Sequence, residues 1–352
     1  MEPGPRSAAS VGLFVNPMSG RDVRRLAARA STTTLEIKRD QVARAAVGAV
    51  AGGARRIVVV RDPFRIATSA VEHLSLGAEI TVLDGGRELC AADSQRAARA
   101  LREAGCDVVI AFGGDGTQRA VARAWPDVPL VPLSTGTNNV FPVSVEATAA
   151  GAAAGLVASG AVPLAAVSQA QKCVHVAVEG GARDLALVDA VLLVDDAVGN
   201  YMPFDATRIR TVLLARAEPT AAGPSALGGL VLPCGAQDDF GVALRCGPAS
   251  GGGRPLLAPL SPGLFRTVHV EAVRRVALGE DVRVEGPGVL AFDGDRERAL
   301  APGQGAVLTL RRDGPRVIDV ALALRASADA AAFFDRGHWH DPHDRAGGFD
   351  CC

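Results

Sequence analysis

Lysine is almost missing from this chain of 352 residues: only Lys38 and Lys172 occur among the 37 basic residues, so the other 35 are arginine. A P-loop for phosphate needs a lysine directly after its last glycine, and neither lysine stands in such a position. The formal net charge is only −1, with a sequence pI of about 6.6. This balance excludes the strongly basic footprint of a nucleic-acid-binding domain, and we expect no nucleic-acid partner.

Paired cysteines and long apolar runs are missing as well. The seven cysteines form no C-x-x-C pair and are odd in number, which argues against a disulfide framework and against a structural zinc site. No apolar run reaches the roughly 18 residues of a membrane helix, and the first ten residues lack the apolar core of a signal peptide. We therefore expect a cytoplasmic protein that has no membrane partner.

Short apolar runs alternate with alanine- and arginine-rich stretches over residues 11–160. The pattern predicts strands at 11–15, 56–60, 79–83, 107–112 and 130–133. It predicts helices at 20–30, 41–51, 64–76, 91–104, 118–123 and 146–158. Strands and helices that alternate at this spacing are typical of an α/β domain with a doubly wound, mostly parallel sheet, of the kind that binds nucleotides.

The pattern changes after residue 160. A hairpin over 174–178 and 185–194 is followed by a predicted helix at 204–216 and then by short strands at 267–270, 273–278, 281–284, 288–292, 306–311 and 316–320. Glycine-rich turns between short strands predict an antiparallel, sandwich-like β domain over 161–320. Residues 321–337 predict a helix that packs back on the first domain, and 338–352 predict a disordered tail.

The strongest motif is the run from Gly113 to Thr117, which reads G-G-D-G-T, follows a buried strand and opens a helix. Glycines let backbone N–H groups approach an anion, and a helix N-terminus attracts phosphate. Asp115 would repel a phosphate, so it fits better as a magnesium ligand or as the acceptor of a hydroxyl proton. A plain strand–helix turn capped by an aspartate remains the alternative.

Two further polar loops follow predicted strands. One runs from Asn16 to Gly20, and the other from Thr135 to Asn139. Ligands of open parallel sheets bind beyond the carboxyl ends of the strands, so we predict that the three loops form one cleft. If Asn16, Asp115 and Asn138 lay on unrelated surfaces, the enzymatic interpretation would fail.

A second acidic turn, Asp293-Gly294-Asp295, lies in the β-rich part of the chain. Asp-Gly is also the standard pair of an ordinary hairpin turn, so both interpretations stay open. Arg119, in the predicted helix after the glycine loop, either approaches phosphates or lies on the surface.

The motifs N-P-x-S-G at 16–20, G-G-D-G-T at 113–117 and S-T-G-T-N-N at 134–139 together resemble the superfamily of NAD kinases and diacylglycerol kinases. In particular, the chain is similar to the ATP-NAD-kinase-like proteins called acetoin-catabolism protein X. The resemblance implies that ATP and its acceptor meet between the two domains and that the β-rich domain binds the acceptor. It implies catalytic roles for Asp115 and Asp293. The implied nucleotide-binding residues are Asn16, Gly20, Gly113, Gly114, Gly116, Thr117, Thr135, Gly136, Thr137, Asn138 and Asn139.

The sequence departs from the family pattern at two places. Asn139 stands where NAD kinases have an acidic residue, and Asp295 stands where lipid kinases have glutamate. The resemblance implies a kinase that uses ATP and Mg²⁺ and phosphorylates a small acceptor, first of all NAD to NADP, with a homo-oligomer as in NAD-kinase relatives. The alternatives are a diacylglycerol-type lipid kinase and a nucleotide-binding accessory protein of acetoin catabolism with little activity.

Overall fold

The computed structural model of the chain describes residues 9–21, 33–135, 139–181, 183–199, 203–329 and 331–334. Its first sheet has the strand order β3-β2-β1-β4-β5-β18-β6. The strands are β1 (Ser10–Val15), β2 (Arg56–Arg61), β3 (Glu79–Asp84), β4 (Val108–Gly113), β5 (Pro129–Ser134), β6 (Ser168–Ala170) and β18 (Arg316–Ile318). Neighbouring strands from β3 to β18 are parallel, and β6 alone pairs antiparallel.

Helices cover both faces of this sheet, as the alternating pattern predicts. They are α1 (Leu35–Ala51), α2 (Ile66–Val71), α3 (Ala91–Glu103), α4 (Asp115–Ala124), α5 (Ala147–Ala158), α6 (Leu164–Val167) and, near the end of the chain, α8 (Val320–Asp329). One apolar core joins α1, α2, α5 and α8 to the sheet, and a second core joins α3 and α4 to its other face. The doubly wound α/β fold is therefore confirmed. The helix predicted over 20–30 lies almost entirely outside the described residues.

Helices α1 and α5 approach each other through glycines. A Cβ on Gly48 would lie 2.1 Å from the carbonyl oxygen of Thr148, and one on Gly155 would lie 2.0 Å from that of Ala49. Gly52 and Gly151 meet the opposite backbone in the same way. Because only a residue without Cβ tolerates such contact, these glycines set the distance between the two helices.

The β-rich part packs two antiparallel sheets face to face. The seven-stranded sheet has the order β12-β13-β11-β10-β9-β15-β16, and the four-stranded sheet has the order β14-β17-β7-β8. The strands are β7 (Cys173–Val178), β8 (Arg183–Ala186), β9 (Asp189–Leu193), β10 (Ile209–Leu214), β11 (Phe240–Gly247), β12 (Arg254–Ser261), β13 (Leu264–Ala277), β14 (Asp281–Glu285), β15 (Gly288–Phe292), β16 (Asp295–Leu300) and β17 (Gly305–Arg311). Side chains of both sheets, among them Val176, Leu213 and Leu308, share one core. A short helix, α7 (Pro224–Gly229), lies between β10 and β11.

The helix predicted over 204–216 is wrong. The segment forms a single 3₁₀ turn, Ala206–Arg208, and then β10, which pairs antiparallel with both β9 and β11. A short apolar run does not distinguish a buried strand from a buried helix by its periodicity, and here pairing on both edges decides. The strands predicted at 267–270 and 273–278 form one continuous strand, β13, which is bulged opposite β11 between Arg245 and Cys246.

Strand β18 was assigned by the sequence pattern to the β domain, but it lies in the first sheet between β5 and β6. Helix α8 follows directly, and Val320 and Ala323 enter the core beside α5. The tail over 338–352 lies outside the described residues, and the domain limits at 160 and 320 stay predictions. Among the described helices, none has the length and apolar content needed to cross a bilayer.

Candidate functional site

The three polar loops predicted from the sequence lie at the carboxyl edge of the first sheet, joined by hydrogen bonds. Nδ2 of Asn16, just after β1, donates to the hydroxyl of Thr117 in the first turn of α4, at 2.8 Å. The hydroxyls of Ser19 and Thr135 lie 2.7 Å apart, which links the first loop to the loop after β5. Thr117 and Thr135 are 5% and 3% exposed. The loops therefore form one structure, as strand order alone requires of neighbouring parallel strands.

Two glycines of this edge have steric reasons to be glycine. Gly20 has φ +68°, and a Cβ there would lie 2.4 Å from the carbonyl oxygen of Thr135. A Cβ on Gly113 would lie 2.4 Å from Cβ of Thr117. Side chains at these positions would force apart the same loops that the hydrogen bonds hold together.

Helix α4 begins directly at the motif, with Gly114 as its N-cap residue in an extended conformation. Gly114 contributes no side-chain cap hydrogen bond, so the first turn is not capped in the usual way. Asp115 occupies that turn, where a negative charge interacts favourably with the helix dipole.

The carboxylate of Asp115 binds a neighbouring loop instead of capping its own helix. Oδ1 accepts the N–H of Phe141 at 2.8 Å, and the N–H of Val140 lies 3.1 Å from both oxygens. Burial raises the pKa of Asp115 to about 7, and the nearby charge of Asp293 adds to the rise. The two N–H groups and the guanidinium of Arg216 oppose it, because they stabilise the ionised form.

Asp293 follows β15 and is held by the break between β8 and β9. Its carboxylate accepts N–H groups from three successive residues: Leu187 at 2.9 Å, Val188 at 2.7 Å and Asp189 at 3.2 Å. Burial raises the pKa of Asp293 to about 6, against the opposing effect of Arg119 and these N–H groups. Its φ of +49° shows that the turn holds the residue in the left-handed region.

The Asp293-Gly294-Asp295 turn lies against the glycine motif. A Cβ on Gly116 would lie 2.9 Å from Oδ2 of Asp295, so the turn of the β-rich part touches the first turn of α4. The structure thus brings both acidic motifs to one place between the two parts of the chain.

Arg119 crosses between the two parts. It is 3% exposed, and its guanidinium donates to the carbonyl oxygen of Leu185 at 2.6 Å, to Asp184 at 2.8 Å and to Glu297 at 2.8 Å. It also lies over the ring of Phe292 at 5.0 Å. Of the two interpretations left open by the sequence, the surface one is wrong, since the side chain is buried.

Arg216, which sequence reasoning missed, lies behind the loop that holds Asp115. Its guanidinium donates to the carbonyl oxygens of Val140 and Phe141, at 3.3 and 3.5 Å, and to Oε1 of Gln171. The residue is 8% exposed. A signal existed, because an arginine inside the apolar run 212–217 needs partners when it is buried.

Lys38 is a second residue that sequence reasoning missed. It lies on α1, is 0% exposed and donates to the carbonyl oxygens of Asn16, Pro17 and Ser19 at 3.0, 2.9 and 2.7 Å. The only available signal was its rarity in the composition.

The remaining predicted site residues are placed only in part. Asn139 donates through Nδ2 to the hydroxyl of Ser134. Gly136, Thr137 and Asn138 lie outside the described residues.

A small crevice of about 30 Å³ opens beside the Asn16 loop. Its walls come from the ends of β1, β2 and β3 and from the first turns of α3. Asn16, Asp62, Gly85, Gly86 and Asp93 contribute to its lining. The crevice therefore continues from the joined loops along the carboxyl edge of the sheet, which is where open α/β sheets bind their ligands.

The donor set suits a magnesium ion that is shared with a nucleotide. Oδ1 of Asp115 accepts two N–H groups while Oδ2 accepts one, so Oδ2 keeps room for another partner. Oδ1 of Asp293 accepts three N–H groups, but its Oδ2 accepts only that of Leu187 and keeps room as well. Carboxylate oxygens are the ligands that Mg²⁺ uses beside substrate phosphates, and each of the two carboxylates offers one such oxygen.

Comparison with known proteins agrees with this geometry. Residues 11–162 match the ATP-NAD kinase N-terminal domain, and residues 172–313 match the acetoin catabolism protein X C-terminal domain. Acetoin catabolism protein X of Cupriavidus necator is 34% identical over 330 residues, which cover 90% of this chain and 92% of that protein.

Among solved structures, yeast NADH kinase complexed with NADH has a TM-score of 0.52 at 12% identity, and the match covers 94% of this chain and 90% of that one. This likeness shows the shared fold alone. A diacylglycerol kinase from Bacillus anthracis str. Sterne has a TM-score of 0.43 at 13% identity over 88% of this chain and 96% of that one. The resemblance found in the motifs is confirmed: the chain belongs to the acetoin catabolism protein X family, and its N-terminal part has the ATP-NAD kinase fold.

Proposed function

We propose that the protein is an ATP-dependent kinase that phosphorylates a hydroxyl group of a small soluble acceptor, with NAD as the first candidate and NADP as its product. The observation that supports the proposal most directly is the joined edge of three loops, with Asp115 at its centre and the Asp293 turn placed against it. A kinase-type fold and a family that shares the ATP-NAD kinase domain support the reaction class.

In this proposal the donor lies on the joined loops. The residues from Asn16 to Gly20 and from Gly113 to Thr117 hold the ATP phosphates at the N-terminus of α4, where the helix dipole favours anions. The loop from Thr135 to Asn139 contacts the dinucleotide. Mg²⁺, when bound, would neutralise phosphate charge, and Oδ2 of Asp115 would hold it if this carboxylate orients the metal instead of accepting the proton.

The acceptor lies toward the β-rich part, on the side of the Asp293 turn. Its hydroxyl oxygen forms a bond to the γ-phosphorus, the bond from phosphorus to the ADP oxygen breaks, and the hydroxyl proton passes to the carboxylate of Asp115. The pKa of about 7 suits this role, because a base near the working pH is both ionised in part and able to take a proton. After burial, the charge of Asp293 is the next largest cause of the raised pKa of Asp115.

One assay tests the proposal: purified protein with Mg-ATP is offered NAD, diacylglycerol or no acceptor, while ADP and product are measured. NADP formation supports the proposal, and phosphorylated diacylglycerol as the only product would replace it with a lipid kinase. Asp115→Asn should lower turnover about 10²-fold, the scale of a lost general base. Asp127→Asn, an exposed carboxylate in the turn before β5, is the matched control and should leave turnover unchanged. Equal turnover in Asp115→Asn and the wild type would remove Asp115 from the mechanism.

A nucleotide-binding accessory protein with little activity is the second candidate. It is favoured by Asp295, which stands where lipid kinases have glutamate, and by Asn139, which contacts Ser134 and offers no negative charge to an acceptor. Tight binding of ATP or NAD without any product in the same assay would select this function.

A further inference from the structure

The loop from Asn16 to Gly20 is held from beneath by a single buried charge. The ammonium group of Lys38 donates to three carbonyl oxygens of this loop, at 2.7 to 3.0 Å, and no part of Lys38 is exposed. An ammonium group has three donors, and here all three have acceptors on one turn of backbone. The three hydrogen bonds of Lys38 therefore all stabilise the backbone of this loop.

We propose that Lys38 is a positioning residue of the nucleotide site: its ammonium group fixes the backbone of residues 16–20 and places a positive charge beneath the loop that faces the polyphosphate. The inference rests on the proposed function, since it concerns the same site, but it predicts anion binding and not turnover. No contact between Lys38 and the ligand is required.

Because the peptide bond is planar, the direction of each carbonyl group that Lys38 binds also sets the direction of the next N–H group. When the carbonyl groups of Pro17 and Ser19 point toward Lys38, the N–H groups of Met18 and Gly20 in the same peptide planes point away from it. Oδ1 of Asn16 accepts the N–H of Met18 at 2.9 Å, and this leaves Nδ2 of the same side chain to donate to Thr117. Lys38 therefore determines the orientation of Asn16 through the backbone.

Lysine at position 38 is unusual for this chain. This chain uses arginine for 35 of its 37 basic residues, and its two lysines are 0% and 1% exposed. The ammonium group of lysine is a compact point charge with three donors, whereas arginine presents its donors in a larger planar fork. At position 38 the three donors of one nitrogen reach three carbonyl oxygens of the loop.

The charge of Lys38 depends on its burial and on two neighbouring charged groups. Burial lowers the pKa of Lys38 to about 8, the charge of Arg21 lowers it further, and the carboxylate of Asp62 opposes both. Arg21 comes from the loop itself, and Asp62 comes from the turn after β2. A bound polyphosphate would favour the charged form and raise the pKa, so binding should take up a proton. Affinity should consequently fall as the pH rises through the pKa of the free protein.

The experiment measures binding by calorimetry on the full chain, with inorganic tripolyphosphate and with ATP as probes, at several values between about pH 7.5 and 9.5. We expect the affinity of the wild type to fall by about tenfold or more over this range, with proton uptake that varies with the ionisation enthalpy of the buffer. Lys38→Met should bind the probes about tenfold or more weakly than the wild type at the lowest pH, which is the scale of one nearby charge at an effective dielectric of about 20. Its affinity should not depend on pH in this way.

The matched control is Arg39→Met, which removes a positive charge one residue further along α1 on a side chain that is 46% exposed. It should bind as the wild type does at every pH. Circular dichroism checks whether Lys38→Met is folded. If the variant folds poorly, the pH profile of the wild type still tests the proposal, because it needs no variant.

Each outcome decides one point. A flat wild-type profile, or equal binding by Lys38→Met and the wild type, would overturn the role of Lys38 alone. Binding of both probes without any product in the kinase assay would overturn the proposed catalysis alone. A wild type that binds neither probe would overturn both.

Discussion

Two carboxylates of the candidate site, the half-buried Asp115 and the buried Asp293, are each held by backbone N–H groups. Asp115 binds the N–H groups of Val140 and Phe141, and Asp293 binds those of three residues after β8. The N–H groups favour ionisation, whereas burial and the mutual charge oppose it, and burial is the largest effect at both sites. The result is a pair whose pKa values lie well above the ordinary value of 3.8.

This pair has a consequence for stability. Because both pKa values are raised in the folded state, to about 7 and about 6, these two carboxyl groups bind more protons in the folded protein than in the unfolded chain, from the ordinary pKa of 3.8 up to the raised values. The stabilisation is fully present below that value and is lost as the pH rises through the folded pKa values. Asp115→Asn cannot ionise, so its melting temperature relative to the wild type should rise steadily from about pH 5 to pH 8. Thermal unfolding at several pH values checks this, and a constant difference would contradict the raised pKa.

Residues at this scale were predictable where a local motif marked them. Asp115 and Asn16 stand in short patterns next to buried strands, and neighbouring strand ends bring such patterns together without further information. Lys38 and Arg216 act through carbonyl oxygens that are 19 to 22 and 75 to 76 residues away in the chain. No local pattern encodes such partners, so only the folded chain shows them.

At the scale of elements, α1 and α5 approach each other closely through glycines. Its four glycines come in pairs spaced by four residues on each helix, which places each pair on one face. Sequence reasoning predicted both helices but not their contact, because alanine-rich helices with little amphipathic character do not show which face is buried.

Gly155→Ala should destabilise the protein by about 1–3 kcal/mol, the usual cost of an added methyl group in a tightly packed interface. The new Cβ would lie 2.0 Å from the backbone oxygen of Ala49, and this oxygen cannot move away because it belongs to the backbone of α1. Gly77→Ala is the control, because a Cβ there meets nothing within 4 Å and the residue is exposed. Chemical denaturation of both variants measures the difference, and equal stabilities would contradict the close approach of the helices.

The strand β10 shows why another element was mispredicted. Ile209–Leu214 reads I-R-T-V-L-L, and its four apolar residues suit a buried helix as well as a strand. Pairing with β9 and β11 decides the conformation, and of these two partners the sequence predicts β9, within 185–194, but not β11. The parallel sheet was easier to predict, since each of its strands is followed by a recognisable helix or loop.

At the scale of the whole molecule, buried arginines hold the two parts together. Arg119 on α4 binds Asp184, Leu185 and Glu297 of the β-rich part, and Arg216 of that part binds the loop next to Asp115. The ionic contacts of Arg119 involve a side chain that is only 4% exposed. Such pairs cost much when one partner is removed, because the other charge stays buried.

Arg119→Met should therefore lower the free energy of unfolding by about 3–5 kcal/mol, the cost of breaking a buried ion pair. Arg123→Met also removes a contact to Asp184, but its side chain is 30% exposed and the pair is 3.4 Å apart. We expect this control to stay within about 1 kcal/mol of the wild type. Denaturant titrations of the two variants make the comparison, and similar losses in both would argue against the special role of Arg119.

The position of β6 and β18 at the edge of the first sheet has a mechanical meaning. The chain leaves the first sheet after Ala170 and returns at Arg316, and these two residues are paired neighbours across adjacent strands. The β-rich portion is accordingly an insertion that hangs from a narrow double-stranded neck, extended by hydrogen bonds between Gln171 and Pro315 and between Gly314 and Gln171. A rotation of that portion relative to the first sheet would therefore bend the chain at these two connections. It would separate Asp295 from Gly116 without breaking a covalent bond.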